Sequence, residues 1–135
     1  MLDVDCYCTL ARRSARVLTE FYDAALIPSG LKITQYSLLR AVERLEQSSL
    51  TELAEATGLD RSTLGRNLRV LERAGFVVLG PAKDERACIA KLTLKARHAL
   101  KIAHTLWTEA QAKVESAVPT KTKQYLQTLA KVVEA

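Results

Sequence analysis

The chain is poor in aromatic residues, in cysteine and in long apolar runs, and each shortage narrows what it can be. Aromatics make up only 5% of a sequence that is 48% hydrophobic, so a core must be built from Leu, Ala and Val, which suits packed helices. No apolar stretch approaches the length of a bilayer span, so the sequence predicts no transmembrane helix. The first residues, MLDVDCYCTLARRS, are acidic and lack an apolar h-region, which argues against a secretory signal. Three cysteines, an odd number without secretory features, point to a reducing cytoplasm rather than a disulfide framework. There is no internal repeat and no low-complexity linker. No nucleophile–base pair, phosphate loop or zinc spacing is present: Cys6 or Cys8 with His98 or His104 matches no metal motif. The sequence therefore predicts neither an enzyme nor a metal or cofactor site.

What is present is concentrated between Ser49 and Thr93. Ser49 and Glu52 have the spacing of a capping box, opening a helix whose buried face is Leu53, Ala54 and Ala56 and whose end is Thr57-Gly58. Leu59 turns into the core and Asp60 caps a second helix from about Arg61 to Ala74. On that helix Leu64, Leu68 and Leu71 form one apolar stripe. At about 100° per residue, Ser62, Arg66, Arg69 and Arg73 fall on the opposite side. Arginine can bond guanine through two donors, and hydroxyls bond bases or phosphates, so this face suits a nucleic-acid groove. Taken alone it is more often a solvated charged face. Gly65, inside the helix, costs about 0.5–1 kcal/mol relative to Ala, and either permits close approach to a phosphate or is a tolerated weakness.

Gly75 closes the second helix. Phe76–Leu79 and Ala87–Leu92 are β-compatible runs joined through Gly80-Pro81 and a loop holding Lys83, Asp84, Glu85 and Arg86. A cationic hairpin tip of this kind can follow a minor groove or its phosphates, or it can be an ordinary polar turn. Helix, turn, arginine-striped helix and hairpin, in that order, are the parts of a helix-turn-helix with a wing. A net charge of +5 and a pI near 9.3 agree with a polyanionic partner, though weakly.

With these residues in place, the chain resembles the MarR family of winged-helix regulators. The resemblance runs along nearly the whole chain, and is most specific in LTELAEATGLDRSTLGRNLRVLERAGFV and in the wing end DERACIAKLT. It implies a mainly α fold with a small β wing, in which a winged helix-turn-helix (31–93) sits between dimerisation helices (1–30 and 94–135). It also implies that Ser62, Thr63, Arg66 and Asn67 face the major groove, that Arg86 reaches the minor groove and that Asp84 orients neighbouring arginines. Arg61, Arg69, Arg73 and Lys83 complete the expected DNA-binding set. Gly65 departs from the small hydroxyl residue common in the family, and Ala96 from a common Gly. The function implied is that of a homodimeric DNA-binding repressor on a pseudo-palindromic operator; a protein-interaction module built on the same scaffold is the alternative.

The flanks read as helices. Val4 to Leu26 carries Leu10, Val17, Leu18 and Phe21, and a break follows at Pro28-Ser29-Gly30. Thr34 to Leu45 carries Tyr36, Leu38, Leu39, Val42 and Leu45. Thr93 caps a long helix to about Ala117 with a stripe of Ala96, Ala99, Leu100, Ala103, Leu106, Trp107, Ala110 and Val114. Pro119 is placed at the first position of a last helix bearing Leu126, Leu129, Val132 and Val133. A terminal helix so short needs a partner surface, for which a second subunit is the natural candidate.

For sensing, Cys6 and Cys8 read as two residues of one helix, pointing to nearly opposite sides, so that a mutual disulfide is disfavoured. Cys8 lies fourteen residues before Tyr22. The resemblance places a reactive cysteine there in the hydroperoxide-sensing branch, held by phenols of the partner subunit. Arg12, at i+4 from Cys8, would favour a thiolate. Against this, LKITQYSLL lacks that branch's Tyr-Pro. Otherwise Cys6 and Cys8 are small buried apolar residues, and Cys88 belongs to the wing-strand core. A small phenolic or carboxylate effector is the other option, with Arg12, Arg13 or Arg16 as cation and Tyr22 or Trp107 as apolar wall.

Overall fold

In a computed structural model, residues 5–81 and 88–132 are described. The elements are α1 (Tyr7–Leu26), α2 (Ile33–Leu45), β1 (Ser48–Ser49), α3 (Leu50–Thr57), α4 (Arg61–Arg73), β2 (Val77–Pro81), β3 (Cys88–Leu92), α5 (Leu94–Ala117) and α6 (Thr122–Val132). A short 3-10 turn, Ile27–Ser29, separates α1 from α2.

The core lies where α2, α3, α4, the sheet and the first half of α5 meet. Leu38, Leu39, Leu53, Leu64, Leu68, Leu71, Val77, Ala90 and Leu100 are buried there. Each helix of this unit presents one apolar stripe and closes on the others through it. The sheet is antiparallel with order β1-β3-β2. The expected hairpin is therefore joined by a third strand. Two residues pair with β3, Ser48 opposite Ala90 and Ser49 opposite Ile89, and so fasten the start of α3 to the wing.

Local chemistry sets the helix boundaries. At α3 the capping box is closed in both directions: the Glu52 N–H donates to Ser49 Oγ at 3.1 Å, and the Ser49 N–H donates to Glu52 Oε1 at 3.3 Å. Gly58 ends the helix at φ 71°, in the left-handed region that glycine enters without penalty. At α5 the Thr93 hydroxyl accepts from the Ala96 N–H and donates to the Gly75 carbonyl at 2.6 Å. Lys95 Nζ bonds the Ala74 carbonyl at 2.6 Å and lies 4.8 Å from the centre of the Phe76 ring. These contacts fix the end of α4 to the root of α5.

Several expectations are corrected. Pro119 does not begin the last helix: α6 starts at Thr122, whose N–H donates to the Pro119 carbonyl at 3.0 Å, so the proline belongs to the turn before it. Leu45 is 37% exposed and Ala56 is exposed, so neither is core. The expected apolar side of α1 is present but only partly covered within the chain: Leu18 is half-buried, while Leu10 is 41% and Val17 64% exposed. On α6 Leu126, Leu129 and Val132 are exposed too. Both terminal helices thus carry apolar faces that their own chain leaves open. The chain before Asp5, including the expected start of the first helix at Val4, lies outside the described residues, as does Val133.

Candidate nucleic-acid interface

The interface is organised by α4. Asp60 caps it: the Thr63 N–H donates to Asp60 Oδ1 at 2.8 Å, and the Thr63 hydroxyl donates to Oδ2 at 3.0 Å. These bonds, first the backbone one and then that of the hydroxyl, hold the Asp60 carboxyl below its ordinary value, and the charge of Arg66 adds to the effect. Leu64, Leu68 and Leu71 anchor one side at 0–1% exposure. The opposite side, with Arg61, Ser62, Arg66, Arg69 and Arg73, is exposed. Neither of the two ion pairs among the described residues involves any of these arginines. The helix therefore offers a row of donors on a rigid support.

Two expected contacts occupy different positions from the row. Thr63 is half-buried and its hydroxyl is engaged by Asp60. Asn67 is half-buried on the flank facing α2, where it lines grooves shared with Thr34 and Leu38. Lys83, Asp84 and Arg86 lie outside the described residues. The strands that would present them, β2 and β3, are paired from Val77 opposite Leu92 to Pro81 opposite Cys88.

The candidate sensing residues do not converge within one chain. Cys6 is not in the helix. It is the N-cap of α1, with extended backbone (φ −80°, ψ 117°), and Cys8 lies in the first turn. The premise that both cysteines sit on one helix is thereby corrected. Cys6 is half-buried and Cys8 exposed, so neither is a core residue; Cys88 is half-buried on β3. The Cys6 thiol is pulled below its ordinary value, first by the Thr9 hydroxyl and then by the N–H groups of Thr9 and Cys8, although no contact reaches the geometry of a formed cap bond. The local pull on a thiolate thus acts at Cys6. Arg12, Arg13 and Arg16 are exposed on α1.

Tyr22 and Trp107 are separated. The Tyr22 hydroxyl donates to Gln111 Oε1, and burial pushes its phenol up. It lines a cavity of about 470 Å³ with Leu18, Val114, Lys123 and Leu126, beside the Lys123–Glu115 ion pair at 2.6 Å. Trp107 instead stacks on Tyr36 and His104, at 6.0 and 5.9 Å between ring centres. The Tyr36 hydroxyl and His104 Nδ1 are 3.1 Å apart, so His104 is tied to α2 as well as facing solvent. Gln111 and Lys123 escaped the sequence reading, and His104, weighed there only as a metal ligand, pairs instead with Tyr36, 68 positions away. No group of His, Cys, Asp and Glu able to hold a metal occurs among the described residues.

A helix-turn-helix with a two-stranded wing, an arginine face turned outward and apolar terminal helices define a winged-helix regulator. Comparison with known proteins makes the assignment narrower. The MarR family profile matches residues 29–87. A crystal structure of the transcriptional regulator MosR of M. tuberculosis in complex with DNA is 39% identical over 96% of this chain and 96% of that one, with a TM-score of 0.89. A MarR-family regulator from Rhodococcus sp. RHA1 is 25% identical over 98% and 95% of the two chains, at 0.75. The fold also matches CouR of Rhodococcus jostii RHA1 bound to p-coumaroyl-CoA, 23% identical over 96% and 91%, at 0.72. Among curated proteins no match was found. The chain belongs to the MarR family of transcriptional regulators.

Proposed function

We propose that this chain is a DNA-binding transcription regulator, a repressor that acts in the cytoplasm as a homodimer and leaves its operator on a small-molecule or oxidant signal. The observation that carries the reading is the outward row of Ser62, Arg66, Arg69 and Arg73 on a helix locked from behind by three buried leucines. In this reading α4 enters the major groove, and Arg66 and Ser62 read base edges while Arg61, Arg69 and Arg73 hold phosphates. Thr63 and Asn67 flank the contact. Lys83 and Arg86 reach the minor groove, with Asp84 orienting the arginines. The DNA complex of MosR supports this assignment. The open apolar faces of α1 and α6 support two chains joined through their ends, which places two copies of α4 on half-sites about one DNA turn apart. No helix among the described residues is long and apolar enough to cross a membrane.

For the signal, Cys8 is the sensing thiol, with Cys6 and Arg12 beside it. Along α1 Cys8 and Tyr22 are about 21 Å apart at 1.5 Å per residue, so they can meet only between subunits. A peroxide would act on Cys8. A small phenolic ligand, the other candidate signal, would use Tyr22 or Trp107 as a wall and Arg12 or Arg16 as a cation.

One experiment tests the whole reading. The purified protein selects duplexes from a random pool, and binding to a selected and a scrambled duplex is measured against salt and then against peroxide. Tight, steeply salt-dependent binding to the selected duplex is expected. Release by peroxide should be lost in Cys8→Ser and weakened less in Cys6→Ser. Binding to neither duplex would favour a protein-interaction module.

A further inference from the structure

Gly65 is a glycine that the fold does not require. Gly30, Gly58 and Gly75 sit at φ of 75°, 71° and 82°, where the backbone itself calls for glycine. Gly65 lies in the middle of α4 with ordinary helical backbone, and beyond its chain neighbours and its own helix backbone a Cβ built there meets no heavy atom within 4 Å. Neither conformation nor packing explains it, and glycine is among the poorest helix formers. The one other glycine of this kind, Gly80, also has open space at its Cβ and lies in β2 of the wing. Both unexplained glycines are therefore on the two elements assigned to DNA.

The neighbours of Gly65 on the helix surface are the residues three and four positions away. Arg61, Ser62 and Arg69 occupy three of these places and are all exposed; Leu68, the fourth, is buried. The missing side chain leaves a notch of bare helix backbone bordered by two guanidinium groups and a hydroxyl.

We propose that Gly65 is a positioning residue for DNA: its notch admits the sugar–phosphate backbone against α4, so that Arg61 and Arg69 close on the same phosphodiester. Proximity is what the glycine supplies. A methyl group there would hold the strand away and lengthen charge-assisted bonds that weaken steeply with distance. This rests on the reading of α4 as the DNA-contacting helix.

The test compares wild type, Gly65→Ala and Gly65→Leu on a duplex selected by the wild-type protein. If the notch is for DNA, stability and binding move in opposite directions. The melting temperature of Gly65→Ala should rise by roughly 2–6 °C, because alanine favours the helix. Affinity should fall about tenfold, and further for Gly65→Leu, with a shallower salt dependence as a phosphate contact is lost. Binding by Gly65→Ala within twofold of wild type would overturn the proposal. So would a lower melting temperature, which would mean the space is not free, or weaker binding with an unchanged salt slope, which would move the contact from phosphate to base. If the wild-type protein selects no duplex at all, the DNA reading itself fails.

Discussion

The two ends of the chain and its middle carry the same kind of helix in opposite states. In α4 the apolar stripe is hidden and the charged side is open: Leu64 and Leu68 are 0% exposed while Arg66 and Arg69 face solvent. In α1 and α6 the apolar residues are the open ones, with Val17 at 64% and Leu126 at 50%. The winged unit closes its leucine stripe within one chain, so the opposite, arginine-bearing face is open to a polar partner. The terminal helices do not close theirs, so their exposed faces call for an apolar one. One chain thus presents two different surfaces, a charged one in the middle that suits DNA and apolar ones at the ends that suit the proposed second copy.

Removing side chains from the two stripes should separate these states. Leu64→Ala should cost about 2–5 kcal/mol of stability in denaturant unfolding, since it opens a cavity in a closed core. A loss below about 1 kcal/mol would mean that the α4 stripe is less tightly packed than its burial indicates. The corresponding change at the ends acts on association instead. Leu129→Asp, on the open face of α6, should convert the proposed homodimer to single chains in light scattering and leave the winged unit folded. Persistence of the dimer would remove α6 from the interface.

The smallest expected effect is that of pH on the α4 cap. The carboxyl of Asp60 is held below its ordinary value, so it binds protons more readily in the unfolded chain. Its contribution is full above about pH 4, the ordinary Asp range, and is lost as pH falls through the lowered value. Asp60→Asn, which retains the cap acceptor but cannot titrate, should flatten that part of the acid-stability profile. An unchanged profile would show that Asp60 does not govern it.

The middle was also far more legible in the sequence than the ends, for the same reason. The Ser49–Glu52 box, the Asp60 cap and the Leu64–Leu68–Leu71 stripe are short-range features, and all three stand as expected. β1 was hidden because two serines become a strand only by pairing with Ala90 and Ile89, some forty residues on. The start of α6 was misplaced because a proline fits both a first helical turn and the turn before it. Cys6 was misread as helical because a boundary moved by a few residues changes a cap into an interior position. Tyr22 with Gln111, and Tyr36 with His104, join residues 89 and 68 positions apart, which no local pattern records. Asn67 shows the limit within α4 itself: helix periodicity leaves it on the flank, and only the packing of α2 turns that flank into a groove.

The central claim is that the open face of α4 reads DNA while its closed face holds the fold. Measuring Arg66→Ala for both properties tests it most directly. Operator affinity should fall by about 1–3 kcal/mol with relaxed base preference, and the melting temperature should change little, because Arg66 is exposed and forms no ion pair among the described residues. A variant that shifts the selected duplex as well as wild type does would contradict the account.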